Sequence, residues 1–127
     1  MSGIRLVSDT NPLIYVLNGS SVLSSVAADI LDGKQVWVSV ITELELFAKR
    51  GLNAQEKKEI EGLIDSCFVL DINSEIKKIT KNLLQKYTIR LPDAIIAATA
   101  MYLDSPLVTA DTMFQKINDI SVILLSE

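Results

Sequence analysis

Apolar positions along this chain follow two rhythms. Short apolar runs rich in β-formers occur at Ile4 to Ser8, Val36 to Val40, Phe68 to Ile72, in the stretch ending at Thr109, and at Val122 to Leu125. Their length and content predict five buried strands. Between them apolar residues return at helical spacing. Leu23, Val26, Ala27, Ile30 and Leu31 form one such set, and Ile76, Ile79, Leu83 and Tyr87 another. Asn53-Ala54-Gln55-Glu56 has the form of a capping box and opens a helix whose inner residues are Ile60, Leu63 and Ile64. Pro12 suits the first helical position after the first strand, which makes Asn11 the expected N-cap there. A helix is expected from about Ser39–Thr42 to about Arg50, with Gly51 as its stop. Leu91-Pro92-Asp93-Ala94-Ile95-Ile96-Ala97-Ala98-Thr99-Ala100 predicts a further helix, with Pro92 in its first turn. On its wheel Asp93 falls with Ile96, Ala97 and Ala100, a small apolar side suited to close contact with a sheet. Thr112 to Lys116 reads as a short helical turn.

Strands alternating with helices predict an α/β fold: a parallel sheet with helices on both faces and right-handed crossovers. The 127 residues suit a single domain spanning 1–127. Ligand sites in such sheets lie outside the carboxyl ends of the strands. Asp9 follows the first strand and Asp111 the fourth, while Glu45 and Asp93 lie in the first turns of helices. If the first, second and fourth strands are neighbours, the four carboxylates converge on one rim. Bland readings stand beside this one. Asp9 can be a loop acid, and Thr42-x-x-Glu45 fits a capping box. Glu43 is a competing acid, but the wheel turns it to solvent and puts Glu45 with Ile41, Leu44, Ala48 and Leu52 on the apolar side.

Composition narrows the chemistry. The chain contains no histidine, which removes the usual general base and the commonest transition-metal ligand. Cys67 is the only cysteine, so an intrachain disulfide and a multi-cysteine zinc site are excluded. It reads as a small buried apolar residue in a protein of the reducing cytoplasm. No apolar run approaches the roughly 20 residues needed to span a bilayer, and no signal peptide is apparent. A net charge of −4 weighs against a broad nucleic-acid surface. The most basic stretch holds Lys77, Lys78, Lys81, Lys86 and Arg90; it is either a solvated helix face or, at Lys86 and Arg90, an RNA contact ahead of Asp93.

Four acids gathered without histidine or lysine repel one another unless a hard cation joins them. Mg²⁺ and Mn²⁺ take oxygen ligands, acidify bound water and neutralise charge on a phosphodiester. Hydroxyls at Thr10 and Thr109 are placed to orient the carboxylates or their waters, with Asn11 as a neighbouring polar group.

The chain resembles a known family at four places. Ser8-Asp9-Thr10-Asn11-Pro12-Leu13-Ile14, Ser39-Val40-Ile41-Thr42-x-x-Glu45-Leu46, Asp93-Ala94-Ile95-Ile96-Ala97-Ala98-Thr99-Ala100 and Leu107-Val108-Thr109-Ala110-Asp111-x-x-Phe114 look like the four acidic motifs of PIN domains. VapC-type toxin ribonucleases of toxin–antitoxin pairs are the nearest kind. Each motif alone is weak; four in order, over essentially the whole chain, are specific. The resemblance implies a three-layer sandwich around a five-stranded parallel sheet. It also implies a Mg²⁺- or Mn²⁺-dependent ribonuclease acting on an RNA substrate. It assigns Asp9, Glu45, Asp93 and Asp111 as the acidic constellation and metal ligands, and a homodimer and a cognate antitoxin protein as partners. A phosphoacceptor receiver domain shares the fold type, but lacks its adjacent acids here: Thr10-Asn11 follows Asp9. A non-catalytic domain that uses the rim only to bind metal or a partner is the other alternative.

Overall fold

The computed structural model describes residues 3–126. Five parallel strands form one sheet in the order β3-β2-β1-β4-β5: β1 (Arg5–Ser8), β2 (Gln35–Ser39), β3 (Phe68–Leu70), β4 (Leu107–Thr109) and β5 (Val122–Leu124). Helices α1 (Thr10–Asn18), α2 (Val22–Leu31), α3 (Val40–Leu46), α4 (Ala54–Asp65), α5 (Ser74–Lys86) and α6 (Leu91–Tyr102) connect them, and a 3-10 turn covers Thr112–Lys116. This is the expected α/β sandwich.

Strand parity sorts the core. Side chains alternate across a strand, so Val7, Trp37 and Leu107 pack towards α5 and α6 with Ile76, Leu83, Ile96 and Phe114. Leu6 and Val108 face the other way, onto α2 at Ala27, and Val38 meets Leu13, Leu46, Ile60 and Ile64 of α1, α3 and α4. The register fixes which strand ends meet: Val7 pairs with Trp37 on one side and with Leu107 on the other. β1 is therefore central, and the strand order reverses beside it, where such sheets place their ligand crevice.

Three local expectations change. Helix α1 starts at Thr10 and is capped by Asp9 rather than Asn11. Pro12 is then the third helical residue, still among the first four whose N–H groups have no helical acceptor, so its missing donor is tolerated there. Helix α3 stops at Leu46, short of Arg50. The Phe47 and Ala48 N–H groups reach back only three residues, to Leu44 and Glu45, and this tightening ends the helix. Gly51, with φ 77°, belongs to the following turn. With α3 cut short, its buried residues are Thr42 and Leu46, and Leu44 is exposed instead of joining the apolar side. Finally, α6 has no single inner side. Seven consecutive residues, Ala94 to Ala100, are buried, as expected of a helix apolar all round and enclosed by its neighbours. The capping box at Asn53 and Glu56 forms as expected, and Asn73 caps α5. Cys67 is half-buried beside the α4 core, which pushes its thiol pKa up and keeps it in the protonated form. Among the described residues no single helix is long and apolar enough to cross a membrane.

Candidate active site

The carboxyl ends of β1, β2 and β4 open into a cavity of about 510 Å³. Asp9, Glu45, Asp93 and Asp111 all line it, with Thr10, Asn11, Thr88 and Arg90 among their neighbours. Glu43 and Lys86 are not in the lining.

Asp9 stands directly after β1 and is only 6% exposed. Both its oxygens are engaged. Oδ1 accepts the Thr10 N–H at 2.8 Å, which is the helix cap, and Oδ2 accepts the Thr109 hydroxyl at 2.7 Å. The Thr109 hydroxyl in turn accepts the Asp111 N–H at 3.0 Å. Since that hydroxyl has one proton and gives it to Asp9, its lone pair is free for the Asp111 amide. One threonine thus ties the end of β4 to the end of β1 and turns the chain at Asp111. Asp111 caps the 3-10 turn, its Oδ1 accepting the Met113 N–H at 2.9 Å.

Glu45 enters from the last turn of α3, not from the first turn expected of it, because the helix begins at Val40 and ends at Leu46. Its Oε1 accepts the Thr10 hydroxyl at 2.6 Å, and that hydroxyl lies 3.2 Å from the Thr42 hydroxyl. The alternative capping role does not form: Ser39 caps α3, its Oγ accepting the Ile41 N–H at 3.0 Å. Asp93 lies in the first turn of α6, where the helix dipole favours a negative charge. Arg90, at the N-cap position of the same helix, places Nε 3.5 Å from Asp93 Oδ2. Arg90 is largely exposed, so this pair adds little to stability. It does supply a positive charge beside the acids that their motifs alone did not reveal. The spacing of three residues on a helix was its available signal. Lys86 is engaged elsewhere, 3.2 Å from Asp119, whose carboxylate also accepts the Tyr87 hydroxyl at 2.6 Å. Thr88, in the cavity lining, carries no sequence signal, and Thr42 only its spacing to Glu45.

The electrostatics show the acids sensing one another. Burial pushes the Asp9 carboxyl above its ordinary pKa, the hydrogen bonds from Thr109 and Thr10 oppose this, and the charges of Asp93 and Glu45 add to the rise. Asp93 is also raised, by burial first; Arg90 opposes the rise, and Asp111 and Glu45 reinforce it. Among the described residues no three of these groups are gathered tightly enough to enclose an ion as they stand. The donor set nonetheless suits a hard divalent cation: carboxylate oxygens, no histidine, and a mutual repulsion that a cation relieves.

Comparison with known proteins follows the same line. The family model of the PIN domain matches residues 6–120. In structure, the chain matches a chain of a toxin–antitoxin complex from Klebsiella pneumoniae with a TM-score of 0.80 and 27% identity, over 96% of this chain and 98% of that one. A chain of VapBC-1 from nontypeable Haemophilus influenzae matches with a TM-score of 0.73 and 26% identity, over 95% and 98%. A chain of VapBC2 from Rickettsia felis, in a complex with a fragment of promoter DNA, matches with a TM-score of 0.76 and 16% identity, over 97% and 100%. No curated protein matches in sequence.

The raised pKa of Asp93 carries a sign that can be measured. The folded state holds this proton to higher pH than the unfolded chain, whose aspartates titrate near 3.9. Asp93 therefore costs no stability below the unfolded value, and its cost develops as pH rises through the folded value. Asp93→Asn is expected to raise the metal-free stability near pH 7 by on the order of 1 kcal/mol, with the gain vanishing towards about pH 4. Thermal melts of both proteins in EDTA across that range check this. A variant that melts lower than wild type near neutrality would make Asp93 a structural acid.

Proposed function

The chain belongs to the PIN domain family, and on that premise we propose that it is a Mg²⁺- or Mn²⁺-dependent endoribonuclease, the toxin of a toxin–antitoxin pair. The observation that carries the reading is the meeting of Asp9, Glu45, Asp93 and Asp111 in one cavity of a chain without histidine. A divalent cation bound there supplies a more acidic water and neutralises charge on the phosphodiester in the transition state.

The chain's own residues then have distinct tasks. The four carboxylates provide hard oxygen donors. Thr109 and Thr10 hold Asp9 and Glu45 in fixed orientations by donating to one oxygen of each. Arg90 is exposed enough to leave Asp93 and meet an RNA phosphate, which offsets locally the net charge of −4. Lys86, held by Asp119, is a weaker candidate for the same contact. The similarity to chains from toxin–antitoxin complexes supports a cognate antitoxin as partner. A homodimer and a cytoplasmic location complete the reading.

The test is cleavage of RNA by purified protein with Mg²⁺ or Mn²⁺, with EDTA as the control and DNA of the same sequence beside it. Asp93→Asn is expected to lower the rate by orders of magnitude, since it keeps shape and removes a charged ligand. Glu45→Gln is expected to impair cleavage strongly and Glu43→Gln only slightly, because only Glu45 lines the cavity. Cleavage that persists in EDTA contradicts the metal mechanism, and the reverse ranking of the glutamates contradicts the assigned constellation. A protein that binds metal but leaves RNA intact belongs to the non-catalytic alternative.

Binding to RNA measured across several salt concentrations tests Arg90 separately. Arg90→Gln is expected to lower the salt slope by about one unit, the loss of one phosphate contact. An unchanged slope returns Arg90 to a role confined to Asp93.

A further inference from the structure

Thr42 has no role in the reading above, yet its side chain is fully buried against Thr10, which lines the acidic cavity. The sequence offers it as a helix cap, and Ser39 takes that role instead. Its hydroxyl lies 3.2 Å from the Thr10 hydroxyl, which lies 2.6 Å from Glu45 Oε1. A hydroxyl has one proton, and an ionised carboxylate can only accept. The Thr10 hydroxyl is the donor towards both Glu45 Oε1 and Thr42 Oγ1, so its one proton lies between two acceptors, Glu45 the nearer. Thr42 and Glu45 are three residues apart on α3, on neighbouring positions of its surface. Thr10 is the first residue of α1, and its backbone N–H holds Asp9.

We propose that Thr42 is a positioning residue for the acidic site. Its buried hydroxyl oxygen accepts from Thr10 beside Glu45 Oε1, fixes the Thr10 hydroxyl between the two helices, and leaves Glu45 Oε2 outside this set of hydrogen bonds as the oxygen available to a cation. The relay also locks the start of α1 against α3, so Asp9 and Glu45 are held at a fixed separation. The catalytic consequence rests on the ribonuclease reading; the hydrogen-bond relay does not.

The test uses Thr42→Val, which keeps the shape and removes the hydroxyl, with Thr42→Ser, Thr10→Val and the double valine variant. Mn²⁺ affinity by titration calorimetry and kcat and KM for RNA are measured on each. Thr42→Val is expected to weaken Mn²⁺ binding and lower kcat by about tenfold, the range for partners one bond beyond a ligand, with KM little changed. Thr42→Ser is expected to recover most of both. In the Thr10→Val background Thr42→Val is expected to cost nothing further, because its effect runs through Thr10. Melting in EDTA gives the same coupling without metal or RNA: the double variant is expected to melt no lower than Thr10→Val alone.

Strictly additive losses in both series, or a serine variant as impaired as the valine, would overturn the relay and leave Thr42 as packing. A wild-type protein that neither binds Mn²⁺ nor cuts RNA, but shows the coupling in melting, would overturn the ribonuclease reading and keep the relay.

Discussion

The hydrogen bonds to Asp9 are the constraint from which the rest of the site follows. A carboxylate buried at the end of the central strand is costly unless its oxygens find donors. Here one donor is the first amide of α1 and the other is the hydroxyl of Thr109, a hundred residues away in the chain on the adjacent strand. Satisfying Asp9 therefore requires that β1 and β4 be neighbours in a particular register and that α1 begin immediately after β1. The same Thr109 oxygen receives the Asp111 amide and thereby sets the turn that brings the second aspartate to the rim.

A second feature is the balance of charge. Four carboxylates sit in one cavity, and two of them, Asp9 and Asp93, are held above their ordinary pKa by burial and by the charges of neighbouring acids. Arg90 and the two hydroxyl donors offset part of this without cancelling it. The fold thus keeps a local excess of negative charge that contributes nothing to stability. Such a cost at a cleft is characteristic of a functional site, and a hard divalent cation is the species whose chemistry matches the donors. Asp9 and Asp111 stand just past strand ends, Asp93 in the first turn of α6 and Glu45 in the last turn of α3, so the rim owes its geometry to regular elements and not to mobile loops.

Much of this was legible in the chain. Apolar runs separated by helical periodicity specify the alternation, and placing acids after strands specifies the rim. Asn53 and Glu56 form the capping box their spacing indicates. What was not legible depended on contacts between distant residues or on competition between local signals. Pro12 is compatible with more than one position in the first turn, and the burial of Asp9 decided between them. Helix α3 lost its last turn although Gly51 marked a later end, and with it the apolar side assigned to Leu44. The spacing of Thr42 and Glu45 also fits a capping box, and the contact that separates the two roles runs to Thr10 in another helix. The pair of Arg90 with Asp93 needed only helical spacing, and was open to reading from the start.

The central claim is that the four carboxylates act as one cation-binding unit. The most direct measurement is anomalous diffraction from crystals grown or soaked with Mn²⁺. The account predicts a peak within the cavity, with oxygens of at least two of Asp9, Glu45, Asp93 and Asp111 at roughly 2.0–2.3 Å and waters completing an octahedron. A cavity that stays without a peak at saturating Mn²⁺, with the carboxylates unmoved, would contradict it.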